Sequence, residues 1–153
     1  MADAESQFES IAALLHEEST LALATVDESG EPCIAPLFYI ADEDLTLYWL
    51  SSPTALHSLN IERRSNAAAT VYRHAMHWQQ ICGVQMRGRV TAITQRDRRG
   101  ALIKQYRERF QLGAVFRLAI SRSILYAFQP DYFRYLDNSR RFGYRFEFIP
   151  GPR

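Results

Sequence analysis

Residues 32–41, Pro-Cys-Ile-Ala-Pro-Leu-Phe-Tyr-Ile-Ala, constrain the fold more than any other stretch of this chain. They follow a segment, 21–27, that reads as a strand, and the tetrapeptide Glu28-Ser29-Gly30-Glu31, which has the composition of a hairpin turn. Strand alternation puts Ile34, Pro36, Phe38 and Ile40 on one face and Cys33, Ala35, Leu37 and Tyr39 on the other, so both faces are apolar. A strand in an antiparallel meander normally keeps one face wet. Here both faces need cover. A barrel interior can take one, and a partner subunit or a flat ligand can take the other.

The rest of the chain is consistent with a barrel. Ser6 and Glu9 have capping-box spacing ahead of Phe8, Ile11, Leu14 and Leu15 on one helical face, which predicts a first helix ending near Glu18. Asp42-Glu43-Asp44 is a turn, 45–50 a third strand, and 53 to about 64 a helix. Residues 67–72 form a fourth strand whose three alanines admit another backbone or a planar ligand at close range. Residues 81–94 alternate Cys82, Val84, Met86 and Val90 against Gln85, Arg87, Arg89 and Thr91, a long strand that bends at Gly83 or Gly88. Thr94 and Asp97 repeat the capping-box spacing before a helix that aligns Leu102, Tyr106 and Phe110. From Ser123 the sequence offers two or three aromatic strands, the last carrying Phe142, Tyr144, Phe146 and Phe148. Consecutive strands with few helices favour an α+β antiparallel barrel over a doubly wound sheet. The glycines form neither a dinucleotide fingerprint nor a Walker motif.

At 153 residues, with 47% hydrophobic and 23% charged content, the chain reads as one domain over 1–153. No apolar run approaches the roughly 20 residues that cross a bilayer, and the acidic start lacks the basic and apolar regions of a signal peptide, so a cytoplasmic location is expected. Cys33 and Cys82, set among apolar neighbours, read as reduced thiols. The net charge of +1 gives no global attraction to nucleic acid or membrane. Lys104 is the only lysine beside 17 arginines, a bias that suits phosphate and carboxylate recognition but also follows from GC-rich codons. His74, His77 and Cys82 lack a fourth ligand at zinc spacing, so no metal is expected.

The join between the third strand and its helix carries the clearest local chemistry. Ser52 stands where an N-cap belongs and Pro53 where the first helical residue belongs. The free N–H groups at such a helix start suit an anion, and Thr54 and His57 share one face of its first turns with Ser51 just upstream. The same residues also describe an ordinary capped helix with a surface histidine. Taken alone they favour that plainer description.

The order of motifs adds to this reading. Gly30-Glu31-Pro32 with Pro36 and Tyr39, then Tyr48-Trp49-Leu50-Ser51, Thr54 and His57-Ser58-Leu59-Asn60, then 83–88 and 137–143, together resemble the flavin-binding split-barrel family of the pyridoxamine 5′-phosphate oxidases, in particular its small bacterial branch. The resemblance implies a split β-barrel of six to eight strands with peripheral helices, forming a homodimer with FMN at the subunit interface. It places the isoalloxazine near Ala35, Pro36 and Leu37, the ribityl chain near Trp49 and Leu50, and the phosphate near Ser51, Thr54 and His57. Gln85 or Arg87 would reach the ring or the phosphate from the other subunit, and Arg140 and Arg141 would bind an anionic small-molecule substrate. His57 stands where many members have lysine, which implies weaker, pH-dependent phosphate binding. The implied activity is electron transfer between a reduced nicotinamide or similar donor and a small acceptor. Two rivals are a flavin carrier or sensor without turnover, and a small barrel that binds nucleic acid through arginines and exposed aromatics.

Overall fold

A computed structural model describes residues 3–151. The chain runs α1 (Ala4–Glu17), β1 (Thr20–Val26), β2 (Pro32–Phe38), β3 (Ile40–Ala41), β4 (Leu47–Ser51), α2 (Leu56–Arg63), β5 (Asn66–Tyr72), β6 (Cys82–Ala92), α3 (Arg96–Arg109), α4 (Arg117–Ser121), β7 (Ile124–Asp137) and β8 (Arg145–Phe148). The strands form one antiparallel eight-stranded sheet in the order β2-β1-β5-β6-β7-β4-β3, with β8 also pairing β7. The α+β split-barrel expectation holds.

Strand β7 explains how the sheet curls. Its first half pairs β4, its second half pairs β8, and β6 runs beside both. The aromatic tail therefore forms one long strand and one short one. The register of β6 on β7 shifts between Arg87 and Gly88, so the bend lies at Gly88. A Cβ on Gly88 would sit 2.1 Å from the Gln129 carbonyl oxygen, so only glycine fits this crossing.

Helix α1 plugs the concave side of the sheet with Ile11, Leu14 and Leu15, against Leu23, Trp49, Val84 and Phe133. Each such buried side chain stabilises the fold by about 1.5–3 kcal/mol relative to exposure. Tyr39, where β2 breaks into β3, donates its hydroxyl to the Leu15 carbonyl at 2.7 Å and locks the plug to the sheet. The helix starts earlier than its Ser6 signal suggests. Asp3 is the N-cap, its carboxylate accepting the Ser6 N–H at 2.8 Å, because an acidic group one turn earlier competes better for the free N–H groups. Likewise Gln95 occupies the N-cap position of α3 without a side-chain bond, so the Thr94 and Asp97 spacing does not produce a capping box.

On the convex side, Leu102 and Ile103 of α3 pack against Tyr48, Leu125 and Ala127, covering β4 and the first half of β7. Among the described residues no helix covers the convex face of β2, β1, β5 and β6 to the same extent: Ile34 stands 75% exposed there, and Phe38, which rests on Phe110, 54%. No helix among the described residues is long and apolar enough to cross a membrane.

Candidate functional site

The join after β4 differs from its sequence reading in a useful way. The Ala55 N–H bonds the Ser52 carbonyl at 3.1 Å, which closes a β-turn with Pro53 at its second position, and α2 begins only at Leu56. The fixed φ of proline suits that turn position as well as a first helical position, so the sequence signal served the turn. Ser52 Oγ accepts the Thr54 N–H at 3.3 Å and shares a hydrogen bond with the Thr54 hydroxyl at 3.0 Å. It caps the turn and not the helix. Ala55 is the N-cap of α2 and has no side-chain bond to offer, so the first N–H groups of α2 lack a side-chain cap.

Two side chains meet at this helix start, and a third hydroxyl is buried in its first turn. Ser51 Oγ, buried at the end of β4, lies 2.7 Å from His57 Nε2. Burial lowers the pKa of His57 below its ordinary 6.5 and favours the neutral ring. Ser58, in the first turn of α2, has a buried hydroxyl with no hydrogen-bond partner among the described residues. A buried hydroxyl without a partner is costly unless a ligand or water meets it. The corner therefore holds hydroxyl, imidazole and amide donors together, the donor chemistry of an oxyanion site.

Strand β2 runs beside this corner. It pairs only β1 among the described strands, touches β4 without a hydrogen-bond ladder, and contacts α2. Tyr106 of α3 bridges this split. Its hydroxyl donates to the Phe38 carbonyl at 3.2 Å and has the Leu50 backbone as a second partner, and burial pushes its pKa up to about 12. Helix α2 is itself tied to β1, because Asn60 Nδ2 donates to Thr25 Oγ1 at 3.0 Å in the interior.

The expected ring and ribityl residues divide between the two faces of the sheet. Pro36 is exposed, whereas Ala35 and Leu37 are half-buried and point inward. Trp49 is fully buried among Tyr126 and Phe128, its indole N–H without a partner among the described residues, so in the single chain it presents no surface to a ligand. Leu50 points the other way and packs against the cluster beneath α3.

The convex face of β1, β5, β6 and β7 forms a trough of about 520 Å³. Register places Ala24, Ala68, Arg87 and Tyr132 in one row, and Ala22, Thr70, Gln85 and Arg134 in the next. Gln85 and Arg87 therefore lie on the exposed face of β6. The Arg87 guanidinium lies 4.2 Å from the centre of the Tyr132 ring. Arg140 is engaged with Asp137 at 3.3 Å and with Ser10 Oγ at 3.0 Å, while Arg141 is exposed. Among the described residues, no cluster of three His, Cys, Asp or Glu side chains is placed to hold a metal. Cys33 and Cys82 are free thiols.

A family model described as pyridoxamine 5′-phosphate oxidase matches residues 8–136. The chain belongs to the pyridoxamine 5′-phosphate oxidase family. Among solved structures of the same fold, Campylobacter jejuni ChuZ superposes with a TM-score of 0.81 at 13% identity, over 97% of this chain and 61% of that one. A heme binding protein from Mycobacterium smegmatis gives 0.75 at 16% identity, over 97% and 59%. The heme storage protein HutZ from Vibrio cholerae gives 0.68 at 22% identity, over 80% and 88%. No curated protein matches the sequence.

Within this family frame, several site residues escape a reading of motifs alone. Ser58 lies inside a family motif and Tyr106 on the apolar stripe of a helix, but the burial of the one and the cross-strand bond of the other arise only once the helices dock. The three alanines of 67–72 are legible in the sequence, but the alignment of Ala68 and Thr70 with Ala24 and Ala22 into one trough is a property of register.

Proposed function

We propose that this member of the pyridoxamine 5′-phosphate oxidase family is an FMN-binding homodimer that passes electrons between a reduced nicotinamide, or a similar donor, and a small acceptor. One observation carries the reading. The uncapped start of α2, with the Ser51–His57 pair beside it, adjoins an edge strand whose outer face is apolar, exposed at Ile34 and only partly covered where Phe38 rests on Phe110. This donor set fits the phosphate of FMN, and the exposed strand fits its ring.

In this proposal Ser51, Thr54 and His57 hold the phosphate. The ribityl chain runs near Trp49 and Leu50 at the end of β4, and the ring lies along Ala35, Pro36 and Leu37. Gln85 or Arg87 of the second subunit covers the ring or the phosphate and excludes water. Arg140 and Arg141 remain the proposed contacts for an anionic substrate, Arg141 being the one without a side-chain bond among the described residues. When bound, the flavin supplies the electron-transfer chemistry, so the protein's part is to orient, dry and hydrogen-bond.

Two relatives of the same fold are described as heme proteins, which makes heme the rival ligand. Heme needs an axial ligand such as histidine or cysteine. The convex trough is lined by neither, its only methionine, Met86, is buried, and Tyr132 lies under Arg87, all of which favours the flavin reading. Release and identification of the chromophore from purified protein tests the choice. A flavin spectrum that bleaches anaerobically with a reduced nicotinamide, and returns with an acceptor, is expected for the enzyme. A flavin that does not bleach leaves a carrier or sensor, and a Soret band replaces FMN with heme.

A further inference from the structure

We propose that Arg64, Arg87 and Arg89 form a second anion site, which receives the phosphate or carboxylate group of a planar aromatic substrate or electron donor. This deepens the function proposed above and rests on it for the identity of the ligand, but the site itself stands on its own geometry.

Arg87 and Arg89 lie two residues apart on the exposed face of β6, and Arg64 reaches the same place from the end of α2. All three line one cavity of about 640 Å³. Other arginines have acidic partners: Arg63 pairs with Glu28, Arg73 with Glu17 and Arg140 with Asp137. Among the described residues, Arg64, Arg87 and Arg89 form no ion pair. The single acidic residue lining the cavity is Asp131, which the β6–β7 register shift leaves unpaired, so three positive charges face one negative charge. Arg87, placed over the Tyr132 ring, keeps its in-plane N–H groups for bidentate contact with an oxyanion.

The ligand's body follows from the neighbouring surface. The cavity shares Ala24, Ala68 and Arg87 with the trough of about 520 Å³, so an aromatic body on the trough would bring its anionic group to the arginines. The flavin phosphate does not account for this site, and with Arg87 assigned here it is Gln85 that covers the flavin from the second subunit. Its proposed donors stand at the start of α2, whereas Arg64 follows the far end of that helix, about 12 Å away. Two separated anion sites imply two ligands, as electron transfer between a flavin and a second molecule requires.

The test uses 1-naphthyl phosphate, 1-naphthoate and 1-naphthol as probes, titrated into the full-length protein with and without saturating FMN. The phosphate or the carboxylate should bind at least about tenfold more tightly than the neutral alcohol, and the preferred anion names the ligand class. Arg64→Gln and Arg89→Gln should each weaken the anionic probe about five- to tenfold while leaving FMN affinity within about twofold. Equal binding of 1-naphthol, or unchanged probe affinity in both variants, would overturn the site. So would competition between the probe and FMN with the same loss on His57→Ala, because that would mean one shared anion site. Tighter binding of a single-stranded DNA oligonucleotide, lost in the same variants, would overturn the small-ligand assignment in favour of nucleic acid. Arginine-dependent probe binding in a protein that fails to bind FMN would retain the anion site and reject the flavin function.

Discussion

At the scale of single residues, His57 is where chemistry and folding meet. Its pKa is lowered by burial, so the unfolded chain takes up a proton more readily than the folded one. The stability contributed by the neutral ring is complete above about pH 6.5 and is lost as pH falls through the depressed value. A phosphate dianion beside the ring opposes that depression, so FMN binding should take up a proton, and FMN affinity should fall as pH rises through the value in the complex. Titrations between about pH 5.5 and 8 check this, with His57→Lys expected to bind at least as tightly and with a flatter profile. His57→Ala should cost FMN about 1.5–3 kcal/mol and leave riboflavin nearly unchanged, since the charge-assisted bond to phosphate is the proposed ligand contact that it removes. Equal affinity of the unmutated protein for FMN and riboflavin would reduce the corner to a plain helix start. Tyr106→Phe should lower stability by about 1–2 kcal/mol in urea denaturation, because it removes the bond to Phe38 across the β2–β4 split.

At the scale of elements, the β6–β7 pair leaves no room for a side chain at Gly88. Gly88→Ala forces a methyl group into the Gln129 carbonyl and within 2.7 Å of Pro130 Cα, and both obstacles are backbone. The expected cost is about 3 kcal/mol, read as a lower denaturation midpoint. The same bulge puts Asp131 into the arginine-lined cavity, so a strand irregularity needed for curvature also sets the charge of the convex face. The β1–β2 hairpin contrasts with this rigidity. Asp27 accepts hydrogen bonds from the Ser29 N–H, the Ser29 hydroxyl and the Glu31 N–H, and Gly30 supplies the positive φ that closes the turn. The hairpin is set locally, so its apolar outer face is presented whether or not a partner is bound.

At the scale of the molecule, one convex surface is finished and the other is open. Helix α3 covers β4 and the start of β7, while Ile34, Pro36 and Phe38 of β2 face outward. A second copy is the proposed cover, and sedimentation at micromolar concentration should give about twice 17.7 kDa. Ile34→Glu should shift this protein to the monomer and release bound FMN, with little effect on monomer stability, because Ile34 is 75% exposed in the single chain. A dimer that survives this substitution would move the interface away from β2.

The sequence by itself determined which segments are strands, which face of β6 is buried, and that β2 carries apolar residues on both sides, because alternation and turn chemistry act over a few residues. It also made the family motifs around Gly30, Ser51 and His57 legible. Its helix-start signals were less decisive: Ser6, Ser52 and Thr94 each have competing uses within a residue or two, and Pro53 fits a turn as well as a helix. Only the tertiary structure decided that Trp49 turns into the core, that Ser58 is buried without a partner, and that Tyr106 ties β2 to β4. It also decided that Arg64 joins Arg87 and Arg89 at one cavity. These facts depend on the register of strands distant in sequence and on the docking of helices over them. A one-residue slip would reverse them without changing any local pattern.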